Sequence, residues 1–249
     1  NDWLDKASGG AINLPTNCML TVRNALFTNN VAACGCATLD VDGAYGGAIS
    51  TADGCLKYIE KTAFIDNAAI VENATSGRRC AAGGALSECG GVTLIDTCVF
   101  DGNTVEGESS VGAALDLEFD EEATVLNSTF RNSNWEAVSV YDASAVIRNC
   151  VIVGNSVGEE GYDLYLDVGK VELTFSAFGN YYQAPAAELV SSNNIAGVTA
   201  AQVYDGETLQ LATDVYNAVA ALGTSFTEEH ANLLARYTEN VTMIFDSDE

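Results

Sequence analysis

Five carboxylates crowd one short stretch of this sequence: Asp116, Glu118, Asp120, Glu121 and Glu122. Carboxylates held close together either bind Ca²⁺ through their oxygens or divide into acid and base to cleave a glycosidic bond. Alternation along an extended strand puts Asp116 and Glu118 on one outer face. There the simpler reading is a solvated acidic surface, and Asp116, Glu118 and Asp120 are the candidate Ca²⁺ ligands, with no other cofactor expected. No D-x-[DN]-x-[DN]-G loop accompanies them. Cleavage of an acidic polysaccharide also needs a base, for which Arg78-Arg79 is the available pair. The single histidine, His230, makes neither a His-rich zinc site nor a well-supported nucleophile triad, and reads as a surface or helix-packing residue. The Gly-Gly pairs precede strands rather than helices, so they do not cradle phosphate.

Eight cysteines and the sequons at Asn73, Asn127 and Asn240 suit a secreted protein in an oxidising setting. Cys18 and Cys55 each lie nine residues before a phenylalanine, which makes them a candidate disulfide between neighbouring repeats. Cys80 pairs with Cys34 or Cys36 on the same argument of proximity, while Cys98 and Cys150 read as buried thiols. Asn73, Asn127 and Asn240 are the candidate glycosylation sites.

The 249 residues carry 10 Lys plus Arg against 35 Asp plus Glu, a net charge of -25. That balance repels nucleic acid and anionic lipid. No run of about 18 apolar residues is present to span a membrane as a helix. The sequence opens on Asn1 rather than Met and reads as a processed protein or a fragment.

What must position these residues is a repeated phrase. Gly9-Gly10-Ala11-Ile12 leads to Leu20-Thr21-Val22 and Phe27-Thr28-Asn29-Asn30. Gly46-Gly47-Ala48-Ile49 leads to Tyr58-Ile59 and Phe64-Ile65-Asp66-Asn67, and Gly83-Gly84-Ala85-Leu86 to Leu94-Ile95 and Phe100-Asp101-Gly102-Asn103. The phrase then decays through Gly112-Ala113-Ala114-Leu115, Ala137-Val138 and Asp163-Leu164. About six copies follow one another, with the period falling from 37 residues to the low twenties. Short β-type runs at such a period are the mark of a solenoid, in which no copy buries its apolar face alone. The predicted fold is an all-β parallel β-helix.

Two columns fix its register. The first is Asn30, Asn67, Asn103, Ser133, Asn155 and Asn180. Asn tolerates the left-handed backbone of a sharp corner, and its amide bonds to the next copy as donor and acceptor. This predicts a ladder of Asn30, Asn67, Asn103, Asn155 and Asn180. The second column is small: Ala25, Thr62, Cys98, Ser128 and Cys150, then Phe175. The long connections after the Asn corner leave from one side, and that side is where a partner is expected.

The paired GGA[IL] and FxxN motifs resemble the repeats of the polymorphic outer membrane protein family, over roughly residues 9–180. The resemblance implies a right-handed parallel β-helix on a cell surface, often in adhesion, with the motif residues structural. No series of amphipathic strands for a membrane barrel follows.

After Gln183 the pattern changes. Apolar residues from Leu209 to Leu222 form a helical stripe, and Ser225-Phe226-Thr227-Glu228 is a capping box before a second helix. The predicted organisation is a repeat domain over 1–183 and, over 184–249, a helical cap on the open end or a docking segment. The expected function is a non-catalytic, extracellular structural or adhesive module within a larger surface assembly. Its partners are other protein subunits or cell-surface glycans; a β-helix polysaccharide lyase or glycoside hydrolase is the alternative.

Overall fold

The computed structural model of the chain describes residues 6–35, 43–72, 80–155 and 162–203. The chain divides into two compact units, 1–215 and 216–249, and every described residue lies in the first. The described part is all-β, with one helical turn at Ala200–Val203.

Four sheets carry the strands, and every pairing is parallel. The largest sheet orders Ile12–Leu14, Ile49–Thr51, Leu86–Asp96, Leu115–Leu126, Val138–Arg148, Leu164–Thr174 and Tyr181–Ser192, each beside the equivalent strand of the next copy. Met19–Arg23 and Leu56–Glu60 extend it beside Leu86–Asp96. A seven-stranded sheet runs from Leu26–Thr28 through Ala63–Ile65, Val99–Asp101, Thr129–Arg131, Val151–Ile152 and Ala177–Phe178 to Ile195–Ala196. Two three-stranded sheets hold Val31–Cys34, Ala68–Val71 and Thr104–Glu106, and Lys6–Ser8, Gly43–Tyr45 and Cys80–Ala82. The strand Tyr181–Ser192 crosses the expected boundary at residue 183, and pairing continues to Ile195–Ala196, a seventh position beyond the six copies read from the sequence. The helices expected after Leu209 lie outside the described residues.

Like residues stack because the pairing is in register. Phe27, Phe64, Phe100 and Phe130 form one file of parallel rings, with centroids 5.0, 4.9 and 4.5 Å apart. The file continues through Ile152 and Phe178. These side chains share one core with Ile49, Leu86, Leu115, Val138 and Leu164 of the large sheet. The two short runs expected in each copy remain separate in the first two. From the third copy onward they merge into single strands such as Leu86–Asp96, bent where Gly90 and Gly91 take positive φ and the register shifts.

The glycine pair has two distinct jobs. Gly46 turns with φ +61°, a conformation costly for any side chain. Gly47 faces the next copy, where a Cβ would collide with the carbonyl oxygen of Gly84.

The left-handed corner residue is not the ladder asparagine, as the sequence suggested, but its predecessor. Asn29, Asp66, Gly102, Asn132 and Gly154 have φ between 52° and 74°. This frees the ladder residue to point inward. The other corner is made by Asn24, Lys61, Thr97, Asn127, Asn149, Phe175 and Asn193, all near φ +50°. Phe175 therefore belongs to that corner, and Ser176 takes the small position: its hydroxyl accepts a bond from the Cys150 amide at 3.0 Å, as Ser128 does from Cys98 at 3.1 Å.

Candidate functional site

Leu115, Leu117, Ala123 and Val125 of the strand Leu115–Leu126 enter the core. Asp116 and Glu118 therefore face the opposite side of the sheet. Asp116 is not solvated there: it is 1% exposed, while Glu118 is half-buried. Tyr45 hydrogen-bonds the Cys80 side chain, and its hydroxyl pKa rises through burial first, with Cys80, Glu118 and Asp116 adding to the rise. The acidic face expected to be solvated is thus interior at Asp116 and only half-open at Glu118. Asp120 pairs with Gly91 through the backbone. Among the described residues no group of three or more His, Cys, Asp and Glu is placed to hold a metal ion. The pair Arg78-Arg79 lies outside the described residues, as does His230.

The rungs on either side of the acid pair are not acidic. Asp116 stands between Ser87 and Ser139, and Glu118 between Cys89 and Tyr141. The Asp116 column then becomes aromatic, with Tyr165 and Tyr182 stacked at 4.9 Å. Beside it, Glu136 is buried and accepts a bond from the Gly112 amide at 3.1 Å. Burial pushes its carboxyl from 4.5 up to about 7. A carboxyl whose folded pKa is raised binds its proton more readily folded than unfolded. Its stabilising contribution is complete below about 4.5 and is lost as pH rises through about 7. Glu136→Gln is expected to flatten the fall in stability over that window, by on the order of 2 kcal/mol, when urea midpoints are compared at pH 5 and pH 8. Asp163 is shifted upward by burial too, against hydrogen bonds from Asn155 and Gly179 that oppose the shift, so it adds to the same slope.

The asparagine column forms bonds along the sheets. Asn30 Nδ2 donates to Asn67 Oδ1 at 2.8 Å, and Asn67 Nδ2 to Asn103 Oδ1 at 2.9 Å. The second amide hydrogens reach backward: Asn67 donates to the Phe27 carbonyl, Asn103 to Phe64 and Asn155 to Phe130. Ser133 sits in the fourth place, its amide donating to Asn155 Oδ1 at 3.2 Å and its buried hydroxyl without a hydrogen-bond partner. The group that follows Asn155 is not Asn180 but the Asp163 carboxylate, 2.9 Å from Asn155 Nδ2. Asn180 is exposed, and its carbonyl instead accepts from the Asp163 amide. By the pattern of its neighbours, Ser133→Asn adds donations to Asn155 Oδ1 and the Phe100 carbonyl. It is expected to stabilise the protein by about 1 kcal/mol in thermal or denaturant unfolding.

The cysteine expectations are corrected. Cys18, Cys34, Cys55, Cys80, Cys89, Cys98 and Cys150 are all thiols; Cys36 lies outside the described residues. Cys18 and Cys55 do occupy neighbouring rungs, yet Cys18 Sγ turns to the Thr16 carbonyl and Cys55 Sγ to that of Pro15. In-register parallel strands hold equivalent Cβ atoms about 4.8 Å apart, wider than the roughly 3.8 Å a disulfide prefers. Cys80 hydrogen-bonds the Tyr45 side chain. Cys98 and Cys150 are buried, and burial raises their thiols to about 11 and about 12.

Of the sequons, Asn73 and Asn240 lie outside the described residues. Asn127 is exposed at a corner, but its amide is committed: Nδ2 donates to Asp96 Oδ1 at 2.7 Å, and Oδ1 accepts from Asn149 at 2.7 Å.

One cluster escaped the sequence reading. Lys57 and Glu88 are each 0% exposed, with Nζ 3.1 Å from Oε2. Lys57 also donates to the Gly90 carbonyl at 2.7 Å, and Thr51 Oγ1 to Glu88 Oε2 at 2.9 Å. Parity carried the signal: Lys57 stands two residues before the core residue Ile59, and Glu88 two after Leu86.

Comparison with known proteins corrects the family expectation. No profile of polymorphic outer membrane protein repeats matches residues 9–180. The short GGA[IL] and FxxN motifs follow from what any tight parallel stack demands at a corner, so they carry little lineage. A profile described as Toprim-like matches residues 199–249, within the segment 184–249 read from sequence as a helical cap or docking segment. No curated protein and no solved structure matches the chain.

Proposed function

We propose that the two larger sheets wrap the main core, with the two three-stranded sheets closing over a second, smaller one, as a right-handed parallel β-helix, and that this β-helix is a non-catalytic structural or adhesive module working outside the cell. The observation that carries the reading is the stacking of like on like, Phe on Phe and Asn on Asn, which invests the repeated residues in the scaffold rather than in a site. The acid pair supports the same reading, since Asp116 and Glu118 have Ser, Cys and Tyr as rung neighbours rather than a second carboxylate or a base. The thiols withdraw the disulfide argument for an oxidising compartment. The acidic composition remains in favour of the cell exterior.

The partners of this reading are a second protein subunit or a cell-surface glycan. Incubation with a panel of neutral and acidic glycans, with and without Ca²⁺, tests it. Binding without turnover is the expected result. New reducing ends or unsaturated products would place the protein with the polysaccharide lyases or hydrolases instead.

A second reading concerns the C-terminal segment alone and is favoured by the Toprim-like match. That stretch ends in Asp246-Ser247-Asp248-Glu249. Clustered carboxylates suit a hard divalent cation. Calorimetric titration with Mg²⁺ should show binding that Asp246→Asn with Asp248→Asn removes. Equal heats from both proteins would dismiss this reading.

A further inference from the structure

The interior cluster around Lys57 is unfinished as a hydrogen-bond network. Thr93 is the direct ladder partner of Lys57, so their side chains leave the sheet side by side. Glu88 lies on the same strand as Thr93, across the bend at Gly90 and Gly91, and both residues are buried. Glu88 Oε2 takes both the Lys57 and the Thr51 contacts. Glu88 Oε1 and Thr93 Oγ1 are fully buried and have no hydrogen-bond partner. Two orphaned polar atoms in one cluster are costly, and native interiors satisfy such groups with ordered water that makes two to four bonds.

We propose that this cluster binds one structural water molecule, which donates to Glu88 Oε1 and bonds the Thr93 hydroxyl. The chemistry of the lining selects the ligand. Lys57 beside the cluster repels a metal cation, and Glu88 repels an anion. The two charges cancel, so the occupant is neutral and must both donate and accept. Thr93 Oγ1 can give or take a proton, while ionised Glu88 only accepts. An apolar occupant would leave both atoms unpaired. The interior is therefore hydrated at this level, between the second and third copies.

Two measurements decide the matter. A crystal structure of the intact chain near 1.5 Å resolution should show a density peak within hydrogen-bonding distance of both Glu88 Oε1 and Thr93 Oγ1. In denaturant unfolding, Thr93→Val should lower the folding equilibrium constant about 10-fold by removing one of the water's partners, while Thr93→Ser should stay near the parent. If the hydroxyl is simply unsatisfied, Thr93→Val removes a liability and stability is unchanged or rises. That gain, or an interior without the peak, overturns the proposal. Should Thr93→Val fail to fold, the density in the parent protein still decides.

Discussion

Glu88→Ala is expected to destabilise the protein by about 3–5 kcal/mol, the largest effect of any single polar substitution in the described residues. The side chain is fully buried, and it is the carboxylate partner of a lysine that is equally buried. Removing it leaves an ammonium group in an apolar interior with the Gly90 carbonyl still in contact. Lys57 must then either lose its proton or open the surrounding strands, and both are costly. Lys57→Met should cost a comparable amount by stranding Glu88. The double variant Lys57→Met with Glu88→Leu is expected to recover most of the loss, because two apolar side chains need no partner and a buried ion pair gains little net energy over them. Urea midpoints of the two single variants and the double complete a double-mutant cycle. If the double variant is as unstable as the sum of the singles, the two residues do not act as a pair.

Asn67→Ala is the second large effect, expected at about 3 kcal/mol. Asn67 accepts from the amide and side chain of Asn30, and donates to Asn103 Oδ1 and the Phe27 carbonyl. Each buried bond contributes about 1 kcal/mol net, and stranded partners add to the loss. Position along the file gives an internal control. Asn30 is half-buried at the end of the file, and Asn30→Ala should cost less than half as much. Equal losses at the two positions would show that the file does not act as a connected ladder. Asn103, which is as buried as Asn67 and donates to the Phe64 carbonyl, should behave like Asn67.

Why polar residues occupy these interior places at all follows from the corners. A sheet that turns sharply must leave some backbone carbonyls of the neighbouring strand without a strand partner. The Asn side chain supplies donors to the phenylalanine carbonyls and at the same time bonds its own copy to the next. The Lys57 cluster does similar work at the Gly90-Gly91 bend, where Lys57 donates to the freed Gly90 carbonyl. Where the file lacks an asparagine, at Ser133, a buried hydroxyl without a partner marks the defect.

The sequence by itself determined which residues meet. Recurrence of Phe and Asn at matching offsets is enough to state that Phe27, Phe64 and Phe100 stack and that Asn30, Asn67 and Asn103 bond, because a parallel in-register ladder brings equal offsets to the same height. The repeats likewise announced short β-strands joined at polar corners over the repeat domain. Only the tertiary structure decided what each place in the repeat faces. Leu56 and Tyr58 are apolar by type, yet both are exposed while Lys57 between them is buried with Ile59; parity marks Lys57 and Glu88 as inward places, but that the two meet across copies is decided in space. Asp116 looked solvated by its type and its place on the outer face, yet it is almost fully buried. Cys18 and Cys55 were rightly placed on neighbouring rungs and still do not bridge, since parallel strands keep their Cβ atoms too far apart. Pairing register is a property of spacing along one chain and can be read there. Burial, charge pairing and thiol geometry depend on what other segments bring to the same point in space.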